Sequence, residues 1–218
     1  MKRLFIAIPI SAAIQKKALE FQKTYKNLPV RWLTGKNLHI TIIPPWYEND
    51  PDRIKNILNE FSAQANTAQI ETTRANKPHV TESSANASPA INIKFSNIFY
   101  GPNPAAPRLI WASGQTPTKL IQFKKNLETI FLQEKIIKKI EPRPFLLHLT
   151  LARLPLGMAR FRQEDFKNFS IKKISEQIDW SETLDTFVLM ESHLSSAGAD
   201  YEILQKNKIF FGNLKYGQ

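Results

Sequence analysis

Two short stretches of this chain place residues that can do chemistry in the same pattern: "NLHITI" at 37–42 and "LLHLTL" at 146–151. In each, a histidine precedes a threonine by two residues inside an apolar run. Side chains alternate along a β-strand, so His39 and Thr41 share one face while Leu38, Ile40 and Ile42 share the other. His148 and Thr150 stand in the same relation to Leu147, Leu149 and Leu151. Each strand can thus anchor its apolar face in a core and offer an imidazole and a hydroxyl on the other. Imidazole titrates near neutral pH, with an unperturbed pKa of about 6.5, so two of them can divide acid and base work. Threonine hydroxyls can hold the non-bridging oxygens of a phosphate between the rings. If the two strands face each other across a groove, the four residues suit metal-free hydrolysis of a phosphodiester.

A lone His-x-Thr is a weak motif, and this chain supplies the control. "KPHVTES" gives a third copy at His79 and Thr81, but it lacks apolar alternation and sits in a polar stretch, so it is rejected as a site. His193 in "ESHLSS" reads as a structural or exposed strand-end residue. A metal held by His39 and His148 is disfavoured, because no second histidine or carboxylate stands at ligand spacing beside either.

Composition narrows the remaining classes. The 218 residues are 42% apolar, enough for a core, and no apolar run approaches the roughly 20 residues of a membrane-spanning helix. With no cysteine there is no disulfide, no thiolate nucleophile and no cysteine-ligated metal. The formal charge of +11 and pI near 9.8 favour a polyanionic partner such as nucleic acid, against the plainer reading of lysine-rich solvated helices. The opening "MKRLFIAIPISAA" begins like a secretory signal. Pro9 breaks its apolar run, which then flows into a helical pattern without a cleavage site, so a first strand is expected and a cytoplasmic protein with it.

The elements that must position the histidines follow in order. After "RLFIAI", Ser11 caps a helix to about Lys26 with Ile14, Ala18, Phe21 and Tyr25 on its buried side. "VRWL" and "LHITII" are two short strands, the second stopped by Pro44-Pro45. Asp50-Pro51 opens a helix carrying Ile54, Ile57, Leu58 and Phe61. Residues 64–89 are rich in Ala, Asn, Thr and Ser and predict a long exposed loop or insertion. "AINIKFSNIFY" and "PRLIWAS" are strands, Thr116-Pro117 opens a helix, and "PFLLHLTLAR" is a strand. "QEDFKNF" starts a helix, and "DTFVLMESHL" with "YEILQKNKIFF" forms a closing hairpin. This order fits an antiparallel α+β protein whose halves repeat weakly.

At this point the chain resembles the two-histidine (2H) phosphoesterases, specifically the RNA 2′,3′-cyclic phosphodiesterases also called 2′-5′ RNA ligases. The resemblance rests on "RLFIAI", "VRWLTGKNLHIT", "PRLIWA", "RPFLLHLTLAR" and "FVLMESHLSSAGADYEIL", in that order and nearly end to end. It implies one bilobal domain over 1–218, with two pseudo-symmetric lobes, each an antiparallel sheet with helices on its outer face, and a cleft between them. It implies catalytic roles for His39 and His148, phosphate binding by Thr41, Thr150 and Arg153, and no cofactor or metal. The implied partner is RNA with a 2′,3′-cyclic phosphate end, tRNA fragments included, acted on by a monomer away from membranes. The implied product is a 2′-phosphate, with His148 as base and His39 as acid, although the residues themselves are symmetric about that division. The same site could join a cyclic end to a 5′-hydroxyl, which would be 2′-5′ ligation. Two readings stay open beside it: a phosphodiesterase for 2′-5′ linkages or small cyclic nucleotides, and a non-catalytic RNA-binding module, which would have no need of all four residues. Three departures stand out: "IPPWYEND" follows the first motif, with Trp46 and Tyr47 as candidates to stack a base or to pack; Leu147 replaces a common proline; and the 66–89 insertion is long.

Overall fold

The computed structural model describes residues 1–75, 90–103, 107–154, 174–196 and 198–209, with the side chains of 64–75 left out. The third His-x-Thr copy and the helix expected at "QEDFKNF" lie outside the described residues. Nine strands are described: β1 (Lys2–Pro9), β2 (Arg31–Trp32), β3 (His39–Glu48), β4 (Ile91–Gly101), β5 (Leu109–Ser113), β6 (His148–Arg153), β7 (Ser175–Leu184), β8 (Thr186–Ser195) and β9 (Gly198–Lys208). Three α-helices accompany them: α1 (Ala12–Thr24), α2 (Pro51–Ala75) and α3 (Thr118–Gln133).

The strands form two antiparallel sheets, one ordered β3-β1-β8-β9 and the other β2-β6-β5-β4-β7. The fold is α+β with two lobes. Each sheet turns one face to a shared apolar core and the other toward the cleft. Leu4, Ile6 and Ile8 of β1 point inward with Ile40 and Ile42 of β3, all essentially inaccessible to water. Phe61 of α2 and Phe123 of α3 meet Phe187 of β8 there, and Phe131 of α3 meets Trp46. Helix α1 lays Phe21 against Trp32 of the second sheet.

Local chemistry explains the helix starts. The Ser11 hydroxyl accepts from the Ile14 N–H at 3.3 Å, and Asp50 Oδ1 accepts from the N–H groups of Asp52 and Arg53 at 3.1 Å. Pro51 then occupies the first helical position, where its missing N–H costs nothing.

Three details differ from the sequence reading. Pro44-Pro45 does not end β3, which runs to Glu48. β3 is an edge strand, where a missing N–H faces no partner, and its pairing with β1 shifts register between Ile43 and Trp46 to absorb the prolines. Helix α2 continues to Ala75, into the stretch expected to be a loop. Once nucleated, a helix propagates readily through Ala, Gln and Glu, and residues 76–89 lie outside the described residues. β7 was not foreseen, because its inward face carries Glu176 and Glu182 between Ile178, Trp180 and Leu184. No described helix is long and apolar enough to cross a membrane.

Candidate active site

His39 and His148 each open a strand, and each is tied to the backbone in the same way. Nδ1 of His39 lies 2.8 Å from the Asn37 carbonyl, and Nδ1 of His148 lies 2.8 Å from the Leu146 carbonyl. A carbonyl only accepts, so both Nδ1 atoms carry the proton, and each neutral ring keeps its lone pair on Nε2. For His39 that Nε2 meets the Thr41 hydroxyl at 3.2 Å. The backbone behind each ring is itself anchored: Leu38, Ile40 and Ile42 on one strand and Leu147, Leu149 and Leu151 on the other are at most 2% exposed. Burial of each such side chain contributes roughly 1.5–3 kcal/mol, which keeps the alternation from slipping.

The two strands share a second device. β1 pairs Ala7 with Thr41 and Ile6 with Ile43, which leaves Ile42 as an extra residue. β5 pairs Trp111 with Thr150 and Ile110 with Ala152, which leaves Leu151 extra. A bulge therefore follows each threonine directly, and it resets the alternation beyond that point. Strict alternation would put Arg153, an odd number of residues after His148, on the core face. The bulge instead turns it to the cleft, where it lines a cavity of about 520 Å³ with His39 and Thr41.

Arg3 and Arg31 line the same cavity, together with Phe5 and Tyr201. Arg3 donates from Nη1 to the Ser192 hydroxyl at 2.7 Å. The His39 ring sits between Phe5, 5.1 Å away and tilted, and the edge of Tyr201, also at 5.1 Å. Asn37 ties this wall together, because its backbone carbonyl holds His39 while its side-chain amide donates to the Ala199 carbonyl at 3.0 Å. On the other lobe the His148 ring stacks on Trp111, centroids 4.3 Å apart and planes within 28°. Gly101 backs that indole so closely that a Cβ there would lie 2.7 Å from the ring. His148 and Thr150 are half-buried on β6 and do not line the cavity that holds His39. His148 is near enough to act on it electrostatically.

Burial sets the proton affinities. His39 is lowered from 6.5 to about 4, chiefly by desolvation against its aromatic neighbours, with further lowering by the charges of Arg153 and His148. Its bond to the Asn37 carbonyl works in the opposite direction. His148 is also lowered by desolvation, opposed by the Leu146 carbonyl. Both rings are thus neutral at pH 7, and His39 sits in a positive field to which Arg153 contributes, which suits an anionic ligand.

Leu147, at the position of the expected proline, makes a bond that proline could not. Its N–H donates to the Thr116 hydroxyl at 2.8 Å, and its carbonyl accepts from the Ser113 hydroxyl at 2.6 Å. Two side chains therefore stiffen the segment ahead of His148. Of the two base-stacking candidates, Trp46 packs edge-on against Phe131, while Tyr47 is 61% exposed. His193 is an exposed residue of β8 with Nε2 3.3 Å from Glu202. With Glu191 and Glu202 it makes a group whose ligand atoms lie within 4.8 Å of one another, but the Lys2 ammonium already contacts Glu191 at 2.7 Å. Arg3, Phe5, Tyr201 and Trp111 were not singled out from sequence, and Arg31 entered only as part of the quoted "VRWLTGKNLHIT", with no role assigned. Only the alternation of Arg3 with Phe5 on β1 hinted that they share a face.

No protein-family model matches the chain. An RNA 2′,3′-cyclic phosphodiesterase of Methanocaldococcus jannaschii is 26% identical over 220 residues, covering 94% of this chain and 99% of the relative. Among solved structures, TT0787 of Thermus thermophilus matches with a TM-score of 0.64 at 18% identity, covering 94% of this chain and 97% of that one. Escherichia coli LigT complexed with NADP⁺ matches with a TM-score of 0.63 at 16% identity, covering 95% and 98%. LigT complexed with 3′-AMP gives 0.62 at 18% identity, covering 96% and 99%. The two lobes thus follow the LigT fold over almost their whole length, and the chain is similar from end to end to a curated RNA 2′,3′-cyclic phosphodiesterase.

Proposed function

We propose that this protein is a two-histidine phosphoesterase, which hydrolyses 2′,3′-cyclic phosphate ends of RNA to 2′-phosphates in the cytoplasm, without a metal, as a single bilobal domain. The observation that carries this reading is the matched pair of Nδ1–carbonyl bonds at His39 and His148, which leaves two Nε2 atoms for proton transfer. The name of the M. jannaschii relative supports the choice of substrate. In this reading the reacting phosphate binds between the rings, with Thr41, Thr150 and Arg153 on its non-bridging oxygens. Nε2 of His148 takes a proton from the attacking water as that oxygen bonds to phosphorus. His39 delivers a proton to the departing ribose 3′ oxygen, and the phosphate remains on the 2′ oxygen. His39 must be charged to do this, and its affinity of about 4 in the free protein is too low at neutral pH. The bound phosphate supplies the remedy, because a negative charge beside the ring raises its proton affinity. With a 5′-hydroxyl in place of the attacking water, the same transfers join a cyclic end to a second strand through a 2′-5′ linkage.

The test is to incubate the protein with chelator and a nucleoside 2′,3′-cyclic phosphate or a cyclic-ended oligonucleotide, then identify the phosphomonoester. A 2′-phosphate is expected from both. Because both histidines are lowered, the bell-shaped kcat/KM profile should peak below pH 6.5. A 3′-phosphate product, or activity that dies with chelator and returns with a divalent ion, would overturn the reading.

A further inference from the structure

Arg31 and Arg153 face each other directly across the β2–β6 pair. Like charges in such positions repel, and among the described residues neither arginine has a carboxylate partner. Both line the cavity around His39, and both also line a second cavity of about 230 Å³, the outer one, which adds β2 and the turn after it to its wall. The outer cavity is lined by Trp32 and Leu33, which are apolar, and by Lys36, whose ammonium neutralises Asp200 at 2.7 Å. The arginine pair therefore stands at the junction of two connected spaces. Arg31 is also held in place. Gly198, at φ +126°, starts β9 against the guanidinium, and a Cβ there would come within 2.9 Å of Nη1. Only glycine combines that backbone angle with that closeness.

We infer that the outer cavity is a subsite for the nucleotide that precedes the reacting end, with Arg31 binding the phosphodiester that links the two. The inference rests on the proposed reaction for its direction: Arg153 serves the reacting phosphate in the inner cavity, and Arg31 the next one along. It makes the site selective for a strand over a free nucleotide. The planar guanidinium offers two parallel N–H donors to a phosphate, and Trp32 and Leu33 give the flanking nucleoside an apolar surface.

The test compares wild type with Arg31→Gln and Gly198→Ala on a dinucleotide ending in a 2′,3′-cyclic phosphate and on the matching cyclic mononucleotide without a 5′-phosphate. Arg31→Gln should raise the ratio of the dinucleotide KM to the mononucleotide KM by about tenfold, the scale of one charge-assisted bond. Gly198→Ala, which displaces the guanidinium without removing its charge, should give a smaller loss of the same kind. Equal loss on both substrates would put Arg31 on the reacting phosphate and overturn the inference. Equilibrium binding of the 2′-phosphorylated dinucleotide and mononucleotide separates this result from the fate of the reaction. Wild type should prefer the dinucleotide, and its log affinity should fall more steeply with log salt. Arg31→Gln should lessen that slope by about 0.7. If no hydrolysis is seen but this preference exists and Arg31→Gln erases it, the subsite stands and the reaction falls. Equal wild-type affinity for both ligands removes the subsite, whatever the protein catalyses.

Discussion

His39 makes a prediction about folding that needs no substrate. In the unfolded chain its ring has an ordinary proton affinity near 6.5, and in the folded protein the value is about 4. Between those pH values the unfolded state binds the extra proton, so stability must fall as pH drops from about 6.5 to about 4. Below that range the folded protein is protonated too, and the loss saturates. The difference in affinity corresponds to about 3 kcal/mol, a large share of the roughly 5–15 kcal/mol that holds a typical domain together. His148 is displaced in the same direction and adds to the trend. The lowered carboxyls of Asp52, Asp179, Asp185 and Asp200 act mainly below this window, since their ordinary value is already 3.8. Urea unfolding at pH 7.5 and 4.5 should therefore show a marked acid loss in wild type and a clearly smaller one in His39→Gln. By the same linkage inorganic phosphate, which draws a proton onto the site, should stabilise the protein more at pH 5 than at pH 7.5. Parallel pH dependence in wild type and His39→Gln would refute the reasoning, as would an NMR titration of His39 centred near 6.5.

Replacing His39 or His148 by alanine should lower kcat/KM on a cyclic phosphate by about 10²–10⁴-fold, with circular dichroism unchanged. Thr116→Val leaves the Leu147 N–H without its partner, so stability should drop by about 1–3 kcal/mol. His148→Ala kinetics should not worsen further in that background. Gly101→Ala drives a methyl into Trp111 and through it onto His148; denaturant melts should show a loss of about 1–3 kcal/mol, with a larger fall in kcat than in substrate affinity.

The histidine strands were legible because apolar alternation on both sides of each imidazole has one good solution, a strand with leucine or isoleucine inside. The Ser11 and Pro51 helix starts and the closing hairpin were legible for the same local reason. Arg153 is different. Its spacing from His148 argues for the wrong face, and only the extra Leu151 corrects it, which no periodicity at single-residue resolution reveals. Arg3, Arg31 and Tyr201 meet His39 because distant strands pair in a particular register, and no local pattern encodes that meeting. β3 outran its prolines because its place at a sheet edge excuses a missing donor, and the edge is a property of the whole sheet. The affinity of His39 was likewise hidden, since it depends on Phe5 and Tyr201 arriving from other strands.

The interleaving of the two sheets has a consequence for how the molecule is made. In the first sheet β1 lies between β3 and β8, with β9 beyond, so it joins residues from opposite ends of the described chain. The second sheet draws only on residues 31–184. On a ribosome the His148 sheet can assemble while β8 is still unmade, whereas β1 must wait, with one edge open, until residues 186–195 emerge. Such distant pairing is slow to close, and an unpaired apolar strand such as "RLFIAI" invites association with other chains meanwhile. Aggregation during synthesis should therefore track interruptions before β8, and the lobe carrying His39 closes after the one carrying His148.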